Sequence, residues 1–276
     1  ELIGVRLFPP SAACGEVTFW LSAPQPDAVH VAGGTQVATV RTETDEAVVF
    51  STLDDLPIVP VKLAHVLTSV DGKRHDERTV EAEHGREFAA FDAPPKPGDV
   101  LLVGLSDAAP SNAVRVDFRC RIEGVGVDPT WPPLAWEAWT GDDWTACEVE
   151  HDTTGGLNRD GNVIVHLPPG HAVSVVEKLR AGWVRARVTE PEEGQPFYSH
   201  SPTILGVAAA TVGGTTTAVH ADIVVDEVLG TSEGVAGQRF VLRRRPVVAG
   251  ARPTSIRVAD DEDGWLEWSQ DADFTE

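Results

Sequence analysis

Gly230-Thr231-Ser232-Glu233-Gly234 has the G-x-S-x-G spacing with which hydrolases lift a nucleophilic serine out of a strand-to-helix turn. That chemistry needs a strand-turn-helix setting and a histidine downstream of the serine. The last histidine is His220, upstream of Ser232, and no α/β alternation surrounds the motif. The segment reads as a polar turn.

Other candidate chemistries fail on spacing. Gly124-Val125-Gly126 could open a dinucleotide fingerprint, but Asp128-Pro129 stands where a glycine and a helix start are needed. His166 and His171 are separated by the turn Pro168-Pro169-Gly170, which puts no two imidazoles on one metal. Asp260-Asp261-Glu262-Asp263-Gly264 gathers carboxylates without the alternating oxygen ligands and distal Glu of a calcium loop. Cys14, Cys120 and Cys147 are too scattered for a disulfide framework or a metal cage and read as reduced core residues. No catalytic residue, metal or cofactor is expected.

The tryptophans are the remaining candidates. Five of the eight, Trp131, Trp136, Trp139, Trp144 and Trp183, lie between residues 94 and 202. Flat rings can form a sugar-binding platform, but they also fill cores. Trp136 and Trp144, flanked by Glu137 and by Asp142-Asp143, read as hairpin rings that plug the end of a sandwich, with a carbohydrate-binding module as the alternative.

The charge narrows the partners. Lys plus Arg number 22 against 43 Asp plus Glu, a formal net charge of −21, which repels nucleic acid and anionic lipid surfaces. No run reaches the ~20 apolar residues of a membrane span. The absence of Met, even at position 1, leads us to expect a piece of a longer polypeptide.

The elements that would position these residues are strands. With 25 Gly and 20 Pro, helical periodicity is nearly absent and apolar residues recur with period two. From Val114 to Ile122 the even positions are apolar and Arg115, Asp117, Arg119 and Arg121 alternate with them. The same alternation marks Val17, Phe19 and Leu21, then Val163, Val165 and Leu167, then Val184, Ala186 and Val188. Gly33-Gly34, Asp71-Gly72, Gly141-Asp142, Gly155-Gly156, Asp160-Gly161 and Gly213-Gly214 are expected to supply hairpin turns. The predicted class is all-β, with two antiparallel sandwich-type domains. Ala93-Pro94-Pro95-Lys96-Pro97-Gly98 and Ser201-Pro202 mark the breaks, so 94–202 is expected as a Trp-rich domain inserted into a sandwich formed by 1–93 and 203–276.

Several segments carry a resemblance, in order along the chain. Val31-Ala32-Gly33-Gly34-Thr35-Gln36-Val37 precedes Ala47-Val48-Val49-Phe50-Ser51-Thr52 and Asp54-Asp55-Leu56, a Gly-Thr hairpin followed by a Phe-x-Thr strand. Pro132 to Trp139, Asp152 to Leu157, Gly182 to Arg187 and Glu227 to Gly234 follow. Together they resemble the baseplate assembly family, relatives of the baseplate J and wedge proteins of contractile phage tails and extracellular contractile injection systems. The positions that carry it are Gly34, Thr35, Phe50, Thr52, Trp136, Glu137, Trp139, Trp144, Asp152, Gly156, Trp183, Arg185, Glu227 and Gly230. Ala32-Gly33-Gly34-Thr35 departs from the family's usual Pro-Ala-Gly-Thr.

The resemblance implies a structural wedge subunit without catalytic residues, joining hub and spike to sheath through contacts with other baseplate subunits. It also implies assembly in the cytoplasm, multimeric incorporation into a virion or injection particle, and further structure on either side of this segment.

Overall fold

The computed structural model describes residues 11–70, 74–121, 124–222, 224, 227–235, 237–243, 256–260 and 264–268. Ile122, the turn Asp71-Gly72, the acidic run Asp261-Glu262-Asp263 and Phe274 lie outside them.

The N-terminal third forms strands β1 (Cys14–Trp20), β2 (Val29–Val31), β3 (Gln36–Ala38), β4 (Val49–Thr52), β5 (Leu56–Ile58), β6 (Leu63–Ser69) and β7 (Asp76–Glu77). A short helix α1 (Thr79–His84) precedes β8 (Phe88–Ala89), β9 (Val100–Leu105) and β10 (Asn112–Cys120). Next come β11 (Leu134–Trp139), β12 (Trp144–Ala146), β13 (Glu148–Asp152), β14 (Gly161–His166), β15 (Val173–Val176) and β16 (Leu179–Val188). The long β17 (Thr203–Val219) precedes the hairpin β18 (Ile256–Asp260) and β19 (Gly264–Trp268).

Two antiparallel sheets hold most of these strands. The first runs β13-β14-β10-β17-β4-β3, with β1 and β8 also paired to β17. The second runs β12-β11-β16-β9-β6-β7, with β15 also paired to β16. The all-β antiparallel class read from the sequence is the class the chain adopts.

The core lies between the sheets because the alternation on each strand points inward. Val114, Val116, Phe118 and Cys120 of β10 and Val163 and Val165 of β14 meet Val66, Leu101, Val103, Leu105, Trp136, Val184, Ala186 and Val188 of the second sheet. Burying a side chain of this size stabilises the fold by roughly 1.5–3 kcal/mol.

The expected separation of 94–202 from its flanks is replaced by a shared sandwich. Strand β10 pairs with β17 from Asn112↔Gly214 to Cys120↔Ile204, and β9 pairs with β6 from Leu63↔Leu105 to Ser69↔Val100. The boundaries at 93/94 and 202/203 therefore run through both sheets and through the core. The proline segment is a pinned loop: the Asp99 carboxylate accepts from the Asp92 and Lys96 amides, and Gly98 N donates to Val188 O at 2.9 Å. Phe91 and Ser201 exchange hydrogen bonds at the crossing point.

Two glycine readings are corrected. Gly213 and Gly214 lie inside β17, and a Cβ on Gly213 would stand 2.6 Å from Phe19 O, so glycine here admits a close strand neighbour instead of turning the chain. Gly161 opens β14 against Thr153. Positive φ does occur at Gly34, Gly141, Gly155 and Gly156. Cys14 is exposed, not core, whereas burial pushes the thiols of Cys120 and Cys147 up to about 12.

His171 is a buried structural histidine. Its Nδ1 accepts from Ala109 N at 3.0 Å, and its Nε2 is buried without a hydrogen-bond partner among the described residues. Burial drives its pKa down from 6.5 to about 4, against a smaller opposing pull from the Trp183 backbone. The folded state thus holds it neutral. Its contribution is complete above pH 6.5 and is lost as pH falls from 6.5 toward about 4, a loss on the order of 3 kcal/mol. Urea unfolding between pH 7 and 4.5 should show this slope, and His171→Asn should flatten it. Gly182 lies beside this ring, where a Cβ would meet the Asp107 carbonyl oxygen and, at 2.8 Å, His171 Cε1. Gly182→Ala is expected to destabilise the fold by about 3 kcal/mol, read as a lowered urea midpoint at constant slope.

Candidate functional site

The second sheet has an outer face, and β11 and β16 dictate what stands on it. Trp136 and Ala138 enter the core, so the pleat sends Glu137 and Trp139 outward. Val184, Ala186 and Val188 enter it as well, which turns Trp183, Arg185 and Arg187 out beside them. Trp183 joins Leu67, Val100, Leu102 and Ala181 in a second, smaller cluster.

Register completes the site. Trp139 is the cross-strand partner of Trp144, and the rings meet edge to face at 5.6 Å and 69°. Glu137 is the partner of Arg185. Arg185 Nε donates to Glu137 Oε2 at 2.7 Å, while its guanidinium lies 4.1 Å over the Trp144 ring. Arg187 Nη2 and Nε take Oε1 at 2.7 Å and Oε2 at 3.0 Å. Burial raises the Glu137 pKa, but the hydrogen bonds from Arg187 and Arg185 together outweigh it and hold the carboxyl below its usual range.

Trp183 is fully buried beneath this layer, with Nε1 donating to Ser174 O at 3.2 Å and the His65 ring stacked at 6.1 Å. Gly104 makes room for it, because a Cβ there would lie 2.8 Å from Trp183 Cζ3. Strand β15 pairs with the start of β16 through the two-residue turn Glu177-Lys178, both at positive φ. Such a conformation costs non-glycine residues on the order of 1 kcal/mol each. Glu177 Oε1 reaches His75 Nδ1 at 3.8 Å across the groove.

These elements enclose a groove of about 250 Å³. Val100, Leu102 and Trp183 come from the sheet, Trp139, Trp144 and Arg185 from the aromatic side, Ser174, Val175 and Val176 from β15, and His75 from the rim. Of the positions singled out in the sequence, Trp139, Trp144, Trp183 and Arg185 line the groove, and Glu137 is bonded to Arg185. Trp136 instead packs in the core, 6.1 Å from Phe118, and Trp131 is exposed elsewhere with its carbonyl accepting from Gln195. The expected plug of Trp136 with Trp144 is therefore split across two faces of one sheet. Sequence reasoning missed His75, Ser174, Val175 and Val176, which become neighbours only through the fold of β15. The alternation of Val184, Ala186 and Val188 does put Arg187 on the same face as Arg185, where it stands.

The other positions form structural clasps. Thr52 Oγ1 accepts from Thr35 N and donates to Ala32 O, Gly34 N donates to Thr52 O, and Phe50 lies 5.5 Å from His220. Asp152 Oδ1 accepts from the amide and hydroxyl of Thr154, and Gly156 O accepts from the buried Tyr198 hydroxyl. Glu227 Oε1 accepts from Arg243 N, and Gly230, at φ 154°, lies against Phe240.

The Ser232 hydroxyl donates to Gln238 Oε1 at 3.2 Å. Among the described residues no group of three or more His, Cys, Asp or Glu could hold a metal, and no helix is long and apolar enough to cross a membrane. No protein-family model matches the chain, and no curated protein matches it.

The ion triad has a measurable signature. Glu137→Leu leaves two arginines without their carboxylate and should destabilise the protein by about 3 kcal/mol. Arg187→Leu, whose partly exposed side chain is screened by solvent, should cost about 1 kcal/mol. Urea denaturation of both variants checks the order.

Proposed function

We propose that this chain is a rigid scaffold segment of a contractile particle, a wedge-type baseplate component that works through contacts with neighbouring subunits. The observation that carries the reading is what the family-like segments do in the fold. The Gly34-Thr35 turn with the Thr52 clasp and the Glu137 to Arg185 pair fasten one strand to another, Trp136 packs in the core, and the Asp152 to Gly156 turn holds the buried Tyr198 hydroxyl. Positions of that kind suit a part that must transmit force without unfolding.

The sheet edges suit the same role. Strand β13 ends the first sheet with Glu148, Val149, Glu150 and His151 exposed, and a sheet edge offers backbone groups to a neighbour. The acidic side chains there favour a basic strand or loop as the partner.

The test is made in the source organism with the full-length protein. We expect it to sediment with assembled contractile particles, and its deletion to yield tubes without attached sheath by electron microscopy. Normal particles after deletion would overturn the proposal.

A further inference from the structure

We infer that the groove on the outer face of the second sheet is a binding site for a pyranose ring that carries a carboxylate. The inference is independent of the scaffold reading and rests on shape, aromatic surface and local charge.

The groove, about 250 Å³, falls below the roughly 300 Å³ at which pockets for drug-sized molecules begin, so it suits one ring. Trp139 presents a flat, apolar indole beside the Trp144 ring, one face of which Arg185 covers, and the C–H face of a sugar stacks on such a surface. Their indole N–H groups and the Ser174 hydroxyl have no protein acceptor among the described residues, which leaves them available to ring hydroxyls.

Charge selects the acidic sugar. The chain as a whole carries −21 and Glu177 stands beside His75 at the rim, yet along β16 two arginines share the single carboxylate of Glu137. Arg187 takes both Glu137 oxygens, whereas Arg185 spends only Nε on them. The terminal amino groups of Arg185 donate to no described residue, and stacking on Trp144 holds the guanidinium plane in place. A planar fork fixed in this way matches a carboxylate. A cationic ligand would meet Arg185 on the ring face it needs. A purely apolar side chain would desolvate the guanidinium without compensation.

The experiment titrates the whole chain with glucuronate-terminated and glucose-terminated oligosaccharides of equal length, following tryptophan fluorescence and the indole NMR signals. We expect the acidic glycan to bind at least tenfold more tightly than the neutral one. Arg185→Met, which keeps the packing on Trp144, should abolish that preference, Trp139→Ala should abolish binding of both, and Trp131→Ala should change neither. If either groove variant fails to fold, the unaltered protein decides: glucuronate shifting the Trp139 and Trp144 indole signals but not that of Trp131 upholds the site. Equal affinity for both glycans, binding that survives Trp139→Ala in a folded protein, the same shifts with acetate alone, stronger binding of an aspartate-rich peptide, or no binding at all would overturn it.

Discussion

Strand β16 cannot slip by one residue against its neighbours. Its register on β11 and β9 places Val184, Ala186 and Val188 in the core and Trp183, Arg185 and Arg187 on the opposite face. A one-residue shift would bury two guanidinium groups between the sheets and expose three apolar side chains. The core and the groove are thus two consequences of one pleat, and each stabilises the register that the other needs.

The same strand explains why the chain builds one sandwich. Strand β9 lies between β16 and β6, so a residue span that looks self-contained in sequence is hydrogen-bonded to strands before it. Strand β17 does the equivalent in the first sheet, taking β10 on one side and β1, β8 and Lys62 on the other. Glycines within β17 permit this crowding, since Gly214 lies where a Cβ would approach Leu56 and Ile58 at 3.1–3.2 Å. The contacts that unite the sheets join residues far apart in the chain, which is why the proline loop at 93–98 closes a local turn without ending a domain.

The polar network on the outer face shows how an acidic protein accommodates buried charge. Glu137 is nearly enclosed, yet it accepts from two arginines, and one of those spreads over an indole ring. The Glu137 carboxylate is satisfied by donors on the adjacent strand, as low-dielectric surroundings require. His171 shows the other solution, a titratable ring that burial keeps neutral.

Much of this was legible in the residues themselves. Period-two alternation identified the strands around Val116, Val165 and Ala186 and which of their side chains face the core, because that pattern depends only on the pleat. What the tertiary structure alone decided was partnership: that β9 joins β6, that Trp139 and Trp144 face outward while Trp136 faces inward, and that Ser174 and His75 meet across a groove. Those outcomes depend on register between distant strands, and the free energy that selects a register is spread over the whole core, so no short stretch of sequence contains it.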